Sequence, residues 1–266
     1  MTLHVFERDS LMLSGYDTGQ GTPVVFQHGL GGDETQIADV FPNREFRRLT
    51  LECRAHGKSQ AGDPRSFTIA SFADDVLAFA DAQGIDRFAV GGISMGAAIA
   101  LRIAVKNPER VSALVLARPA WGWGAKPDNM QVFAELAEFL KDGRCDDFAN
   151  SDTAHILRTQ GPDNLQSLLK FFDRPDPLLA SSLISAIAAD GPRLTEEDVR
   201  GIQVPALVIA NGIDWVHPVA LAKRLAGLIP CAKFVEITPK ATDKLRHASE
   251  FRKAVKYFLE REGLAK

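Results

Sequence analysis

Gly91-Gly92-Ile93-Ser94-Met95-Gly96 is the stretch whose reading decides the fold. It joins a short apolar run, RFAV at 87–90, to an alanine-rich helical run, AAIALRIAV at 97–105. Embedded in it is G-x-S-x-G, Gly92 to Gly96 with Ser94 at the centre. In a sharp strand-to-helix turn, the glycines let backbones approach and hold the serine in a strained conformation with its Oγ pushed outward. The helix that follows points its N-terminus at the serine and favours developing negative charge. Ala97, Ala98 and Ala100 keep the first turn of that helix slim. The pattern is short, and a tight structural turn with a bystander serine would satisfy it equally, so its meaning rests on what surrounds it.

Outward from this corner, apolar β-rich runs alternate with helical patterns, which predicts a mostly parallel sheet covered by helices. The runs read as strands are HVFER (4–8), LMLSGY (11–16), PVVFQ (23–27), RRLTLE (47–52), RFAV (87–90), SALVLA (112–117), ALVIA (206–210) and KFVEI (233–237). The first two are close enough to form a hairpin. Phe72, Val76 and Phe79 recur on one helical face in the segment 69–85, and Gly84 marks its stop. Pro218 opens a helix in HPVALAKRLAGLIP (217–230). The alternation breaks once, from about Ala120 to Gly201, where only helical stretches occur (129–143, 163–172, 177–191). That segment is too long for a simple loop. We therefore expect a core of 1–119 and 202–266, interrupted after the sixth strand by a helical cap or lid over 120–201.

Composition narrows the function. The chain has 266 residues with 31 basic and 34 acidic side chains, a formal charge of −3. This gives no electrostatic reason to expect nucleic acid or an anionic membrane as a partner. No apolar run reaches the length of a bilayer span, and the first residues lack a signal-peptide pattern. Cys53, Cys145 and Cys231 are too scattered for a disulfide framework or a zinc site, so a cytoplasmic protein without metal or organic cofactor is expected. The insertion offers room for a homodimer surface, and no residue pattern decides that point.

Further motifs lie in a fixed order: QHGLGGD (27–33) after the third strand, CRAHGKS (53–59) after the fourth, GGISMG after the fifth, NGIDWVHP (211–218) after the strand that follows the insertion, and a histidine after the last strand. On these motifs the chain resembles the α/β-hydrolase superfamily over nearly its whole length. The resemblance implies an eight-stranded, mostly parallel sheet with a helical cap and a serine-hydrolase site. In it Ser94 is the nucleophile, Asp214 the acid, and the backbone amides of Leu30 and Met95 form the oxyanion hole. A turn or capping aspartate is the alternative reading of Asp214, and the catalytic acid is the one favoured.

The base falls to His247, the one histidine after KFVEI. His4 lies in the first strand, His28 and His56 belong to turns they can hold together, and His155 is in the insertion. His217 stands close to Asp214 in sequence. The family pattern places its histidine in a Gly-His context a few residues after the last strand, whereas this chain has ITPKATDKLRH with Thr242 near that place. A longer loop and a later helix start would bring His247 to the site. Arg118, emerging after the sixth strand, either pairs with a substrate carboxylate or hydrogen-bonds loop carbonyls to pin the lid. Trp121, Trp123 and Trp215 are candidate pocket walls. Glu52-Cys53-Arg54 replaces an aspartate common in that family turn. The resulting expectation is hydrolysis of a small carboxylic ester or lactone, including carboxylate-bearing ones, through an acyl-enzyme. Carbon–carbon bond hydrolysis, thioester hydrolysis, peptide hydrolysis, perhydrolysis, or ligand binding without turnover stay open on the same fold.

Overall fold

The computed structural model describes residues 1–42 and 46–264. Its strands are β1 (Thr2–Arg8), β2 (Leu11–Asp17), β3 (Pro23–Gln27), β4 (Arg47–Leu51), β5 (Phe88–Ile93), β6 (Val111–Ala117), β7 (Ala206–Asn211) and β8 (Ala232–Ile237). Its helices are α1 (Glu34–Ala38), α2 (Ile69–Ala82), α3 (Met95–Lys106), α4 (Gln131–Lys141), α5 (Cys145–Ala149), α6 (Asp152–Gln160), α7 (Pro162–Leu169), α8 (Pro177–Ala189), α9 (Glu196–Arg200), α10 (Val219–Leu228) and α11 (Lys244–Arg261). All eight strand readings fall on strands. They form one sheet in the order β1-β2-β4-β3-β5-β6-β7-β8. The β1–β2 and β2–β4 pairs are antiparallel and every other pair is parallel.

The central strands read as continuous apolar runs because both faces of the sheet are covered. Successive residues alternate between two cores. Leu114 and Leu116 of β6 join α2, α3 and α10 on one face. Ala113, Val115 and Ala117 join α1 and α11 on the other. In α2, Thr68 caps the first turn by accepting from the Ser71 amide, and Phe72, Val76 and Phe79 are buried on its inner stripe. The chain leaves that helix through Gly84 at φ +67°, a left-handed conformation that glycine adopts at no steric cost. Between β6 and β7 the chain forms α4 to α9 and no strand.

The terminal helix departs from expectation. Asp243 caps it, its side chain accepting from the Arg246 amide at 2.9 Å, so α11 starts at Lys244. An aspartate directly before a helical run sets the start there, because its carboxylate satisfies an otherwise orphaned amide. His247 thus lies in the first turn of the helix instead of in a loop before it.

Candidate functional site

Ser94 ends β5 at φ +56°, ψ −111°, a conformation rare for a residue with a Cβ. The surrounding glycines explain how the chain can get there. A Cβ on Gly92 would collide with the backbone of Gly96, and one on Gly96 with the carbonyl of Gln27. The neighbouring strand ends carry the same signature: Arg118, directly after β6, has φ +47°, and Ile213, after β7, has φ +54°. Three of the eight left-handed non-glycine residues among the described residues thus stand at the carboxyl ends of the adjacent strands β5, β6 and β7. Such clusters mark places where a side chain must be held in a set direction.

What gathers there is a chain of hydrogen bonds. Ser94 Oγ lies 2.8 Å from His217 Nε2, and His217 Nδ1 lies 2.7 Å from Asp214 Oδ1. Asp214 also accepts from Asn164 Nδ2 at 2.9 Å and from Arg118 Nε, on its other oxygen, at 2.7 Å. Burial pushes the Asp214 carboxyl up, but the Arg118 guanidinium and then His217 outweigh it and hold it well below the usual carboxylate range. An ionised carboxylate only accepts, so Nδ1 of His217 carries the hydrogen. Nε2 is left with a lone pair aimed at the Ser94 hydroxyl. This connectivity can pass a proton from hydroxyl to imidazole while the carboxylate holds the ring in one tautomer.

Arg118 does more than neutralise Asp214. Its Nη2 is 3.2 Å from His217 Nδ1, a donor facing a donor in that tautomer. His217 is 7 % exposed, and its pKa falls below the ordinary histidine value. Burial is the main cause and the nearby Arg118 charge adds to it, while Asp214 opposes both. The imidazole is thereby kept neutral and able to accept a proton near neutrality.

In the glycine loop after β3 the Leu30 amide is unused. The Gly29 amide donates to Gln36 Oε1 (2.7 Å), the Gly31 amide to His56 Nε2 (3.0 Å) and the Gly32 amide to the Gly29 carbonyl (2.9 Å). Among the described residues the amides of Leu30 and Met95 donate to nothing. These are the two donors expected of an oxyanion hole. His28 and His56 do hold loops together: His28 Nε2 accepts from the Cys53 amide, and His56 Nδ1 bonds the Arg54 carbonyl. Burial lowers the pKa of both, His28 to about 4.

Other sequence expectations are redirected. His247 does not meet Ser94; its Nδ1 bonds the Thr238 carbonyl at 2.9 Å and its ring packs beside Phe251. The early start of α11 is the reason. Arg118 is committed to Asp214 and is not a free carboxylate anchor. Trp121 is 1 % exposed and donates Nε1 to the Asp190 carbonyl, so it belongs to the core and not to a pocket wall. Trp215 lies beside a small cavity of about 160 Å³ with Val132 and Leu157. Trp123 stacks under the Arg224 guanidinium. The Glu52-Cys53-Arg54 turn has a structural explanation: Arg54 pairs in bidentate fashion with buried Asp75, and Glu52 accepts from the Lys58 amide.

Asn164 is the residue that the sequence did not reveal. It lies on α7, inside the helical segment between β6 and β7, and bridges two parts of one loop. Its Nδ2 donates to Asp214 while its Oδ1 accepts from the Val216 amide at 3.2 Å. No pattern around it separates it from other amphipathic-helix asparagines. Among the described residues no cluster of His, Cys, Asp and Glu has the arrangement of a metal site, and no helix is long and apolar enough to cross a membrane.

Known proteins resemble the whole of this architecture. The enol-lactonase from Burkholderia xenovorans superposes with a TM-score of 0.77 at 25 % identity, covering 97 % of this chain and all of the other. RutD of Rhizobium rhizogenes, named for carbamate hydrolysis, is 26 % identical over 80 % of this chain and 82 % of its own length. The dihydrolipoyllysine-residue acetyltransferase component of the acetoin cleaving system of Pseudomonas putida is 31 % identical over 77 % of this chain, which spans 55 % of that longer protein. The sequence pattern of the alpha/beta hydrolase fold matches residues 22–242, more than half of the chain and every strand end that builds the site, so the protein belongs to the alpha/beta hydrolase fold family.

Proposed function

We propose that the protein is a serine hydrolase of small carboxylic esters or lactones, working through an acyl-enzyme with His217 as its base. The observation that carries this reading is the continuous bond path Ser94–His217–Asp214 beside two unused amides. Ser94 Oγ attacks the carbonyl carbon as its proton passes to His217 Nε2. The carbonyl oxygen takes up the negative charge between the Leu30 and Met95 amides, each donor being worth roughly 3 kcal/mol in related sites. The imidazolium then gives its proton to the leaving alkoxide, which departs as an alcohol or, from a lactone, stays tethered to the acyl group. Water, deprotonated by His217, attacks the acyl-enzyme, and the acid leaves as Ser94 regains its proton. Asp214 keeps the ring oriented, and Asn164 and Arg118 keep Asp214 oriented. The helices over 120–201 serve as the lid that excludes bulk water.

The likeness to enol-lactonase supports the lactone part of this reading. The likeness to RutD favours a second reading, cleavage of a carbamate by the same serine chemistry. The test is labelling by a fluorophosphonate, with peptide mapping. We expect rapid modification of Ser94, abolished in Ser94→Ala and slowed at least about a hundredfold in His217→Ala. Labelling that is slow in the wild type, or indifferent to His217, would overturn the reading. Hydrolysis rates on matched esters, lactones and carbamates then separate the two substrate classes.

A further inference from the structure

Buried cations in this protein are normally matched with carboxylates. Arg48 is paired with Glu34, Arg54 with Asp75, and Arg118 with Asp214. This is expected, because a charge withdrawn from water costs several kcal/mol unless it is paired. The pattern breaks at half-buried Arg102, which among the described residues bonds only the Pro192 carbonyl, and at one cavity. A cavity of about 330 Å³ opens beside the glycine loop, walled by Leu30 and Gly31, by Lys170, Phe171 and Arg174 of the segment between β6 and β7, and by Lys240 after β8. Among the described residues none of these three cations forms an ion pair.

Two of them are half-buried. Arg174 lies over the Phe171 ring at 5.1 Å and spends one donor, Nη1, on the Ala55 carbonyl at 3.1 Å. Its remaining guanidinium donors have no acceptor among the described residues. Lys240 has no hydrogen-bond partner among the described residues, and burial lowers its pKa, as do the charges of Arg118, Lys244 and Lys170, while Asp163 opposes them without pairing. Two carboxylates also reach the cavity wall, Asp33 and Asp39. Asp33 is occupied in capping α1, accepting from the amide and hydroxyl of Thr35. Three cations against two carboxylates leave one net positive charge, which suits a singly charged ligand better than a phosphate dianion.

We propose that this cavity is the subsite for a carboxylate carried by the substrate, with Arg174 and Lys240 as its direct ligands and Lys170 at its rim. The inference rests on the ester-hydrolase reading for its substrate, and it replaces Arg118, whose guanidinium is already taken. Its position explains its use. Leu30, whose amide is free, lines this cavity, and the adjoining Gly29 packs close to the Ser94 side chain, so an acid group held here ties the substrate to the loop that must receive the oxyanion. The unpaired charges are then the cost of a site that is completed only when substrate arrives.

The experiment compares two p-nitrophenyl esters of equal length, one a glutarate half-ester ending in carboxylate and the other ending in carboxamide. The wild type should favour the carboxylate ester in kcat/KM by at least about tenfold, the scale of a charge-assisted hydrogen bond. Arg174→Gln and Lys240→Met should each bring that ratio towards one, and Lys240→Glu should invert it. A wild-type ratio near one, or a ratio that survives both neutralising variants, would overturn the subsite. Should neither ester turn over, the hydrolase reading has failed while the subsite is still readable by calorimetry with the glutarate monoamide anion. Binding weakened at least tenfold in Lys240→Met supports it, and binding that is absent or indifferent to both substitutions refutes it.

Discussion

Two segments that leave the same edge of the sheet each carry a histidine, and only one brings it to Ser94. The loop after β7, 211–218, turns through Ile213 at φ +54° and brings His217 back onto Asp214, three residues earlier, and onto Ser94. After β8, residues 238–243 are consumed in reaching the Asp243 cap, and His247 enters α11 facing the Thr238 carbonyl. Both histidines are buried and both have pKa values below the ordinary one. Burial and titration therefore do not distinguish them. Backbone direction does: a left-handed residue turns one loop inward, and a capping aspartate commits the other to a helix too early.

The sharpest way to break the comparison is to remove each histidine in turn. His217→Ala should lower kcat/KM by at least about a thousandfold, the usual scale for losing the base of such a relay. His247→Ala should change it less than about tenfold. Steady-state rates on one activated ester decide the matter, and a reversal would return the role to the late histidine.

Arg118 sharpens the comparison next, because its charge bears on both rings. His217 must be neutral to accept a proton, so kcat/KM falls as pH drops through its pKa. Arg118→Met removes a cation that disfavours the imidazolium and frees the full charge of Asp214. Both changes raise that pKa, and the acid limb of the pH–rate profile should move to higher pH. The same substitution leaves Asp214 buried with less compensation and should cost about 3 kcal/mol of stability, read from denaturant midpoints. An acid limb that stays in place would show that Arg118 is electrostatically idle.

The smallest effect is expected at Asn164, which steadies only the inward loop. Asn164→Ala removes one donor from Asp214 and one acceptor from the Val216 amide, a loss of about 1 kcal/mol or roughly fivefold in kcat. Asn164→Asp should cost more, since it sets a second carboxylate against the first. Equal activity in both variants would separate α7 from the relay.

These contrasts mark what the sequence carries openly. Ser94 is legible because the glycines at 92 and 96 answer a local steric demand, and Asp214 because it follows a strand of unmistakable composition. Every strand is legible for the same reason: alternation and β-branched content are local properties. His217 was set aside on sequence proximity, yet a loop with one left-handed residue closes a three-residue separation easily. The signal that could have found it was Asp243, whose place before a helical run fixes the start of α11 and removes His247 from the loop. Asn164, Arg174 and Lys240 are different in kind. Asn164 and Arg174 come from the segment between β6 and β7 and Lys240 from beyond β8, and only the folded chain sets Asn164 on Asp214 and Arg174 beside Lys240, so no spacing rule could pair them.

The capped start of α11 has a consequence for heat and damage. Asp214 and His217 stand three positions apart in one loop, which leaves little entropy to lose when they meet. Were the sheet edge at β8 and the final helix to fray, the charge of Lys240 would be lost from its cavity while the pair of Asp214 and His217 stayed in register. On the function and subsite proposed above, selectivity for a carboxylate would then fail before hydrolysis did.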